Sequence, residues 1–250
     1  MMETNHKKYD FEKSLERMDD ILDASDTNYE EVDEIPSRSE LTFTNGFYMD
    51  CNAIFVDIRD SSELPDRYYR PTLAKIYRAY ISEIVAIMNS YEICKEINIV
   101  GDCVSGIFEA NKKEYSKTMV DVAAQINSLV KILNYKMSKK NIDPIKIGIG
   151  IAKGRALMIK AGFSGSGIND VVWMGDVVNE ASNLCGLANK DVPGVIVISE
   201  KIYSDLEGYE NFYGEKYQSW FQRNLFQSYY YGDVVNISMN DWLEQQINNQ

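Results

Sequence analysis

Histidine is all but missing from this chain. Its 250 residues include one, His6, in a polar leader. Histidine acid–base chemistry is thereby excluded from the body of the protein. Cysteine is sparse as well. Cys51, Cys94, Cys103 and Cys185 form no C-x-x-C pair, and with a single histidine a zinc site is not expected. Scattered thiols and a polar N-terminus without an apolar segment point to a reducing, cytoplasmic setting. Long apolar runs are absent too. Residues 195–198 form one of the longest, far short of the ~20 residues that a membrane helix needs. Positive charge is in deficit, with 26 Lys and Arg against 38 Asp and Glu, a net charge of −12. A nonspecific nucleic-acid or anionic-membrane surface is therefore not expected. Any polyphosphate ligand must be met by metal ions, a few local cations or backbone N–H groups.

What is present is a soluble, globular composition, 45% hydrophobic and 26% charged. Residues 1–40 read as an acidic leader, with Phe11, Leu15, Met18, Ile21 and Leu22 at helical spacing. Pro36 stops any helix there, and residues 41–250 form the main body. Asn45-Gly46 is a hairpin-turn signal. A buried strand is expected over 52–58, and a long helix over 68–91. Two strands over 96–110 would fold on the Gly101-Asp102 turn. A second helix follows over 112–139 and a strand over 145–153. A Gly-rich segment covers 162–169, then a helix 176–189 and a strand 194–199. The aromatic-rich tail should add strands. The order strand, helix, two strands, helix, strand is the βαββαβ ferredoxin-like arrangement, an α+β fold with helices on one face of an antiparallel sheet.

That order has a chemical consequence. Asp57 ends the first strand and Asp102 sits in the hairpin between the next two, so the fold makes them neighbours. Either aspartate alone reads as a turn residue. Together they can share a pair of divalent ions, and such ions hold a triphosphate. Ile58 through Ser62 can aim backbone N–H groups at phosphates, and the Ser61 and Ser62 hydroxyls add donors.

Phe55-Val56-Asp57-Ile58-Arg59 and Val100-Gly101-Asp102 resemble the two metal motifs of the class III nucleotidyl cyclases, the adenylate and guanylate cyclase family. A third stretch, 147–154 followed by Met174-Gly175-Asp176-Val177-Val178-Asn179-Glu180-Ala181-Ser182, resembles that family's most specific string. The motifs occur in the family's order over roughly residues 50–200. The resemblance implies a head-to-tail homodimer with active sites at its interface. Asp57, Asp102 and the Ile58 carbonyl would hold two Mn²⁺ or Mg²⁺ ions. Asn179 of the other subunit would position the ribose or the reacting phosphate. The reaction implied is attack of the ribose 3′-oxygen on the α-phosphorus of a nucleoside triphosphate, expelling pyrophosphate.

The chain departs from the purine cyclases where the family reads the base. Asn98 stands where adenylate cyclases have lysine and guanylate cyclases glutamate, unless a register slip brings in Glu96 on the same strand face. Val172 stands where the second base-reading side chain belongs. An asparagine amide can pair with uracil or with cytosine, Val172 would wall an apolar pocket, and Tyr48 is a candidate to fill the room a smaller base leaves. Asn183 replaces the family's transition-state arginine, with Arg59, Arg155 and Arg223 as possible substitutes. Lys201 and Lys216 are candidate triphosphate contacts. The pattern resembles the pyrimidine cyclases of bacterial Pycsar anti-phage defence, which implies UTP as substrate, cyclic UMP as a second messenger and a separate effector protein that reads it. CTP is the nearest alternative, then ATP or GTP. From a different class, a catalytically inactive nucleotide-binding module would keep the fold and lose turnover.

Overall fold

A computed structural model describes residues 3–249. Helix α1 (Phe11–Leu22) opens on Asp10, whose side chain accepts the Lys13 N–H. None of its residues is buried, and its apolar stripe faces outward. A short strand, β1 (Tyr29–Glu31), then pairs in parallel with the start of β2 (Gly46–Ile58). The Asn45-Gly46 hairpin is therefore not formed. Asn45 instead closes its own loop: its side chain accepts from the Thr42 N–H and hydroxyl and donates to the Glu40 carbonyl at 3.0 Å. Side-chain bonds of this kind let Asn make a turn without a paired strand before it.

The next elements follow the expected order. They are the one-turn α2 (Leu64–Arg67), then α3 (Arg70–Asn89), β3 (Cys94–Val100), β4 (Cys103–Glu109), α4 (Lys113–Ser138) and β5 (Ile147–Phe163). The sheet runs β3-β4-β2-β5, with β2 antiparallel to both β4 and β5. This is the strand order that a βαββαβ unit generates when both crossovers are right-handed. β5 starts two residues later than the sequence pattern indicated and runs ten residues past its expected end, because it continues into a hairpin with β6 (Ile168–Met174).

Beyond β6 come α5 (Asp176–Leu187), β7 (Ile196–Ser199), α6 (Glu200–Asp205), β8 (Gln222–Arg223), β9 (Tyr229–Gly232) and α7 (Ile237–Asn248). β7 forms within the strand expected over 194–199, and the aromatic tail adds β9 and β8 beyond it, as its composition suggested. It also carries α6 and α7, which the aromatic pattern did not reveal.

Strand alternation splits the core in two. Ile54, Val56 and Ile58 of β2 face α3 and α4, against Tyr80, Ile84, Met88 and Met119. Met49, Cys51 and Ala53 face the other way, against Val177, Ala181 and Leu184 of α5. The sheet is thus covered on both faces, not one. The second cover is allowed by Gly148 and Gly150 of β5. A Cβ on Gly150 would lie 2.1 Å from the Cys185 nitrogen and 2.2 Å from the Ala181 carbonyl oxygen. The run Ile147-Gly148-Ile149-Gly150 is therefore two things at once: isoleucines for one core, and bare backbone for a helix lying directly on the other face.

Candidate active site

Asp57 ends β2 on the α5 face, and Asp102 lies in the β3–β4 turn, where Gly101 takes φ 64°. The two carboxylates are close enough to interact directly. The Ile58 N–H donates to Asp102 Oδ2 at 3.3 Å. Burial, then the neighbouring Asp102 charge, pushes the Asp57 carboxyl up to about 6, with Arg59 opposing. Two carboxylates held this close, half out of water, call for a countercation.

Arg59 supplies part of it. Its guanidinium lies under the site, 3.4 Å from Asp57 Oδ2, and donates to the Gly186 carbonyl at 3.3 Å near the end of α5. Only 9% of the side chain is exposed. It is thus committed to the carboxylate and to α5. Two buried polar atoms nearby have no hydrogen-bond partner, Arg59 Nε and the Tyr80 hydroxyl. Asp57 and Asp102 both push the Tyr80 hydroxyl further above its ordinary range, which burial has already raised. Hard oxygen donors, excess negative charge and the adjacent Ile58 backbone fit a hard divalent cation. Among the described residues no group of three or more His, Cys, Asp or Glu side chains converges, so any ion would complete its shell from backbone, water and substrate.

A cavity of about 300 Å³ opens beside the pair, lined by Asp57 through Ser62 and by Asn189 and Lys190. Asp60 takes the left-handed conformation (φ 56°) and turns the chain into the short helical turn Ser61–Glu63. Ser61 and Ser62 therefore stand at the rim of the carboxylate pair. Lys190 was not singled out in the sequence. Its one signal is its place in the loop after α5.

The other anticipated residues lie apart from this cluster. Asn179 is exposed on α5, one turn before the equally exposed Asn183. Gly175 (φ 141°) starts that helix, and a Cβ there would lie 2.6 Å from the Arg155 carbonyl oxygen. Asn98 is exposed on the edge strand β3, and Val172 is exposed on β6. Tyr48 sits nine residues before Asp57 on the same strand, roughly 30 Å away at strand rise. The Arg155 guanidinium lies over its ring at 5.0 Å, and Arg155 also pairs with Glu31. Glu96 is buried and ion-paired with Arg38 at 2.9 Å. Lys201 on α6 faces Glu180 and Gly154, on the side of α5 next to Asn179. Lys216 precedes the turn Tyr217–Trp220, and Arg223 is exposed on β8.

The sequence profile of the adenylate and guanylate cyclase catalytic domain matches residues 45–222. The chain belongs to this family. Its enzyme class is nucleotidyl cyclase. Two curated relatives extend over nearly the whole chain. A uridylate cyclase from Gulbenkiania mobilis is 45% identical, over 98% of this chain and 99% of that protein. A uridylate cyclase from Treponema porcinum is 37% identical, over 95% of this chain and 82% of that one. Among solved structures, the adenylyl cyclase CyaB from P. aeruginosa superposes with a TM-score of 0.58, 24% identity, 65% of this chain and 83% of that one. The guanylyl cyclase Cya2 gives 0.59, 14% identity, 76% and 95%. At these identities the structures establish the fold of the cyclase and nothing finer. Among the described residues no helix is long and apolar enough to cross a membrane.

Proposed function

We propose that this cyclase converts UTP to 3′,5′-cyclic UMP and pyrophosphate. The observation that carries the reading is the convergence of Asp57 and Asp102 in a chain whose full-length relatives are uridylate cyclases. Asp57, Asp102 and the Ile58 carbonyl would hold two divalent ions. Such ions, when bound, neutralise the triphosphate and make the ribose 3′-hydroxyl more acidic. In the reaction the 3′-oxygen bonds to the α-phosphorus, the bond from that phosphorus to the bridging oxygen breaks, and pyrophosphate leaves. The hydroxyl proton passes to water.

The chain's own groups orient the reactants. Ser61 and Ser62 donate to phosphate oxygens from the rim of the carboxylate pair. Arg59 acts from below: it holds Asp57 in place, and its buried guanidinium is a poor candidate for direct phosphate contact. The remaining groups would come from a second copy. Asn179 would hold the ribose or the α-phosphate, with Asn183 beside it where the family has arginine. Asn98 would donate to the uracil O4 and accept from N3–H. Val172 would wall the base, and Tyr48 would fill the space that a purine leaves. A soluble pyrimidine messenger fits a role in anti-phage defence with a separate effector protein.

The test is a product assay with Mn²⁺ and each of ATP, GTP, CTP and UTP, resolved by chromatography and mass. Cyclic UMP is expected. Cyclic CMP alone would move the substrate to CTP, and cyclic purine products alone would overturn the base assignment. Asp57→Asn and Asp102→Asn should each abolish turnover with the fold retained. Appreciable activity in either would sink the carboxylate assignment.

A further inference from the structure

The segment between α1 and β2 is tied to the body of the protein at two points. Ile35 is buried, and its N–H donates to both Glu109 carboxylate oxygens at 3.2 Å. Leu41 is buried at the other end. Between them the Ser37 N–H donates to the Glu40 carboxylate at 2.9 Å, closing the turn Arg38–Glu40. Arg38 is thereby presented from a fixed turn.

Its guanidinium joins two strands that are not hydrogen-bonded to each other. Arg38 Nη2 lies 2.9 Å from Glu96 Oε1 on β3, and the same nitrogen donates to Asp170 Oδ1 on β6. Glu96 is two residues before Asn98, and Asp170 is two residues before Val172. Side chains two apart on a strand share a face. The arginine therefore grips β3 and β6 on the same faces that carry Asn98 and Val172. Glu96 is only 8% exposed, so its charge needs this partner. The buried Nε1 of the half-buried Trp173 lies near enough to ease that charge, yet closes no hydrogen bond of ordinary geometry.

We infer that Arg38 is a positioning residue for base selection, which sets the separation of Asn98 and Val172 by clamping Glu96 to Asp170. The inference rests on the cyclase reading above and goes beyond it, because it gives the segment before the catalytic domain a part in specificity. Both carboxylates meet the one Nη2 nitrogen, and a lysine ammonium can make such contacts only in part, because its stem ends short of that position. Loss of the clamp lets the two strands drift relative to each other, and a displacement of this kind weakens discrimination between bases before it weakens the chemistry.

The test uses the full-length protein and compares kcat/KM and Kd for UTP, CTP, ATP and GTP in the wild type, Arg38→Ala and Arg38→Lys. Arg38→Ala should lower the preference for the favoured nucleotide by about tenfold, chiefly through KM, in line with the loss of one positioned polar contact. Arg38→Lys should recover part of it. Equal loss of turnover for all four nucleotides, with the preference intact, would overturn the inference and leave Arg38 a structural residue. If Arg38→Ala does not fold, Asp170→Asn cuts only the β6 side of the clamp, and the same two outcomes apply. A wild type that binds nucleotides selectively without turnover would refute the cyclase reading, while the Kd values would still decide the role of Arg38.

Discussion

Replacing Gly150 with alanine tests the helix–strand contact that places Asn179. The added Cβ would lie 2.1 Å from the Cys185 nitrogen and 2.2 Å from the Ala181 carbonyl oxygen. Both are backbone atoms of α5, so no rotamer change relieves the clash. Ordinary contact begins near 3.4 Å, which leaves a deficit of about 1.3 Å. The helix must lift from β5 by roughly that distance, or the strand must buckle. Overpacking of this kind costs typically ~1–3 kcal/mol. The functional cost is larger, because Asn179 and Asn183 ride on the same helix, and a misplacement of ~1 Å at a reacting centre is worth about 10²-fold in rate.

Pyrophosphate release under saturating Mn²⁺ is the assay, with thermal unfolding measured on the same samples. The expectation is a folded protein whose kcat has fallen by about two orders of magnitude. Gly154→Ala is the control. There a Cβ would meet the Val177 Cβ at 3.3 Å, a few tenths inside ordinary contact, so activity should stay within about threefold of wild type. A Gly150→Ala enzyme with wild-type kcat would refute the argument that this close approach positions Asn179, the asparagine proposed to act in catalysis.

Three further outcomes follow from the carboxylate pair and from the placement of Asn179. Without metal, the Asp57 carboxyl is pushed up to about 6, so it is protonated below that pH and competes with metal binding; titration should find Mn²⁺ affinity weakening by up to about tenfold per pH unit below 6 and levelling off above it. Because that pKa is raised in the folded state, the site favours folding at low pH and loses that contribution as pH rises through 6, so Mn²⁺ should raise Tm more at pH 7.5 than at pH 5.5. Asp57→Ala and Asn179→Ala should each be inactive, yet their mixture should recover about one quarter of wild-type turnover, since half the dimers are mixed and each mixed dimer has one intact site. No recovery after subunit exchange would place both residues in one chain's site.

Much of this architecture was legible because it rests on local rules. A short apolar run marked the second half of β2, 3.6-residue periodicity marked α3 and α4, and Gly101-Asp102 marked a turn. Strand order then brought Asp57 to Asp102, which spacing along the chain alone would not reveal. The misreadings arise where tertiary contacts override local signals. Asn45-Gly46 looks like a hairpin, but side-chain bonds to Thr42 and Glu40 close that turn and the preceding strand pairs in parallel. Nothing local to Gly148 and Gly150 of β5 says that a helix approaches them, so the second covered face stayed hidden. Arg38 is a surface arginine by pattern, and only the folded arrangement of β3 and β6 gives it two partners 58 and 132 residues away.

The separation of the site residues carries an argument of its own. Asp57 and Tyr48 lie at opposite ends of one strand, roughly 30 Å apart at strand rise. One nucleotide cannot bridge that distance, so a base touching Tyr48 and phosphates held at Asp57 cannot belong to the same protomer. The α5 geometry points the same way. Its C-terminal part is pinned beneath Asp57 through Arg59 and Gly186, while Asn179, seven residues earlier, faces solvent. Seven residues of helix rise is about 10 Å. The proposed dimer would resolve both distances, because a two-fold axis can bring the outer face of one copy's α5 and β6 over the carboxylates of the other. On that arrangement the exposed Ile99, Val100, Val172 and Met174 would lie where the copies meet, which accounts for apolar side chains left open to water on β3 and β6.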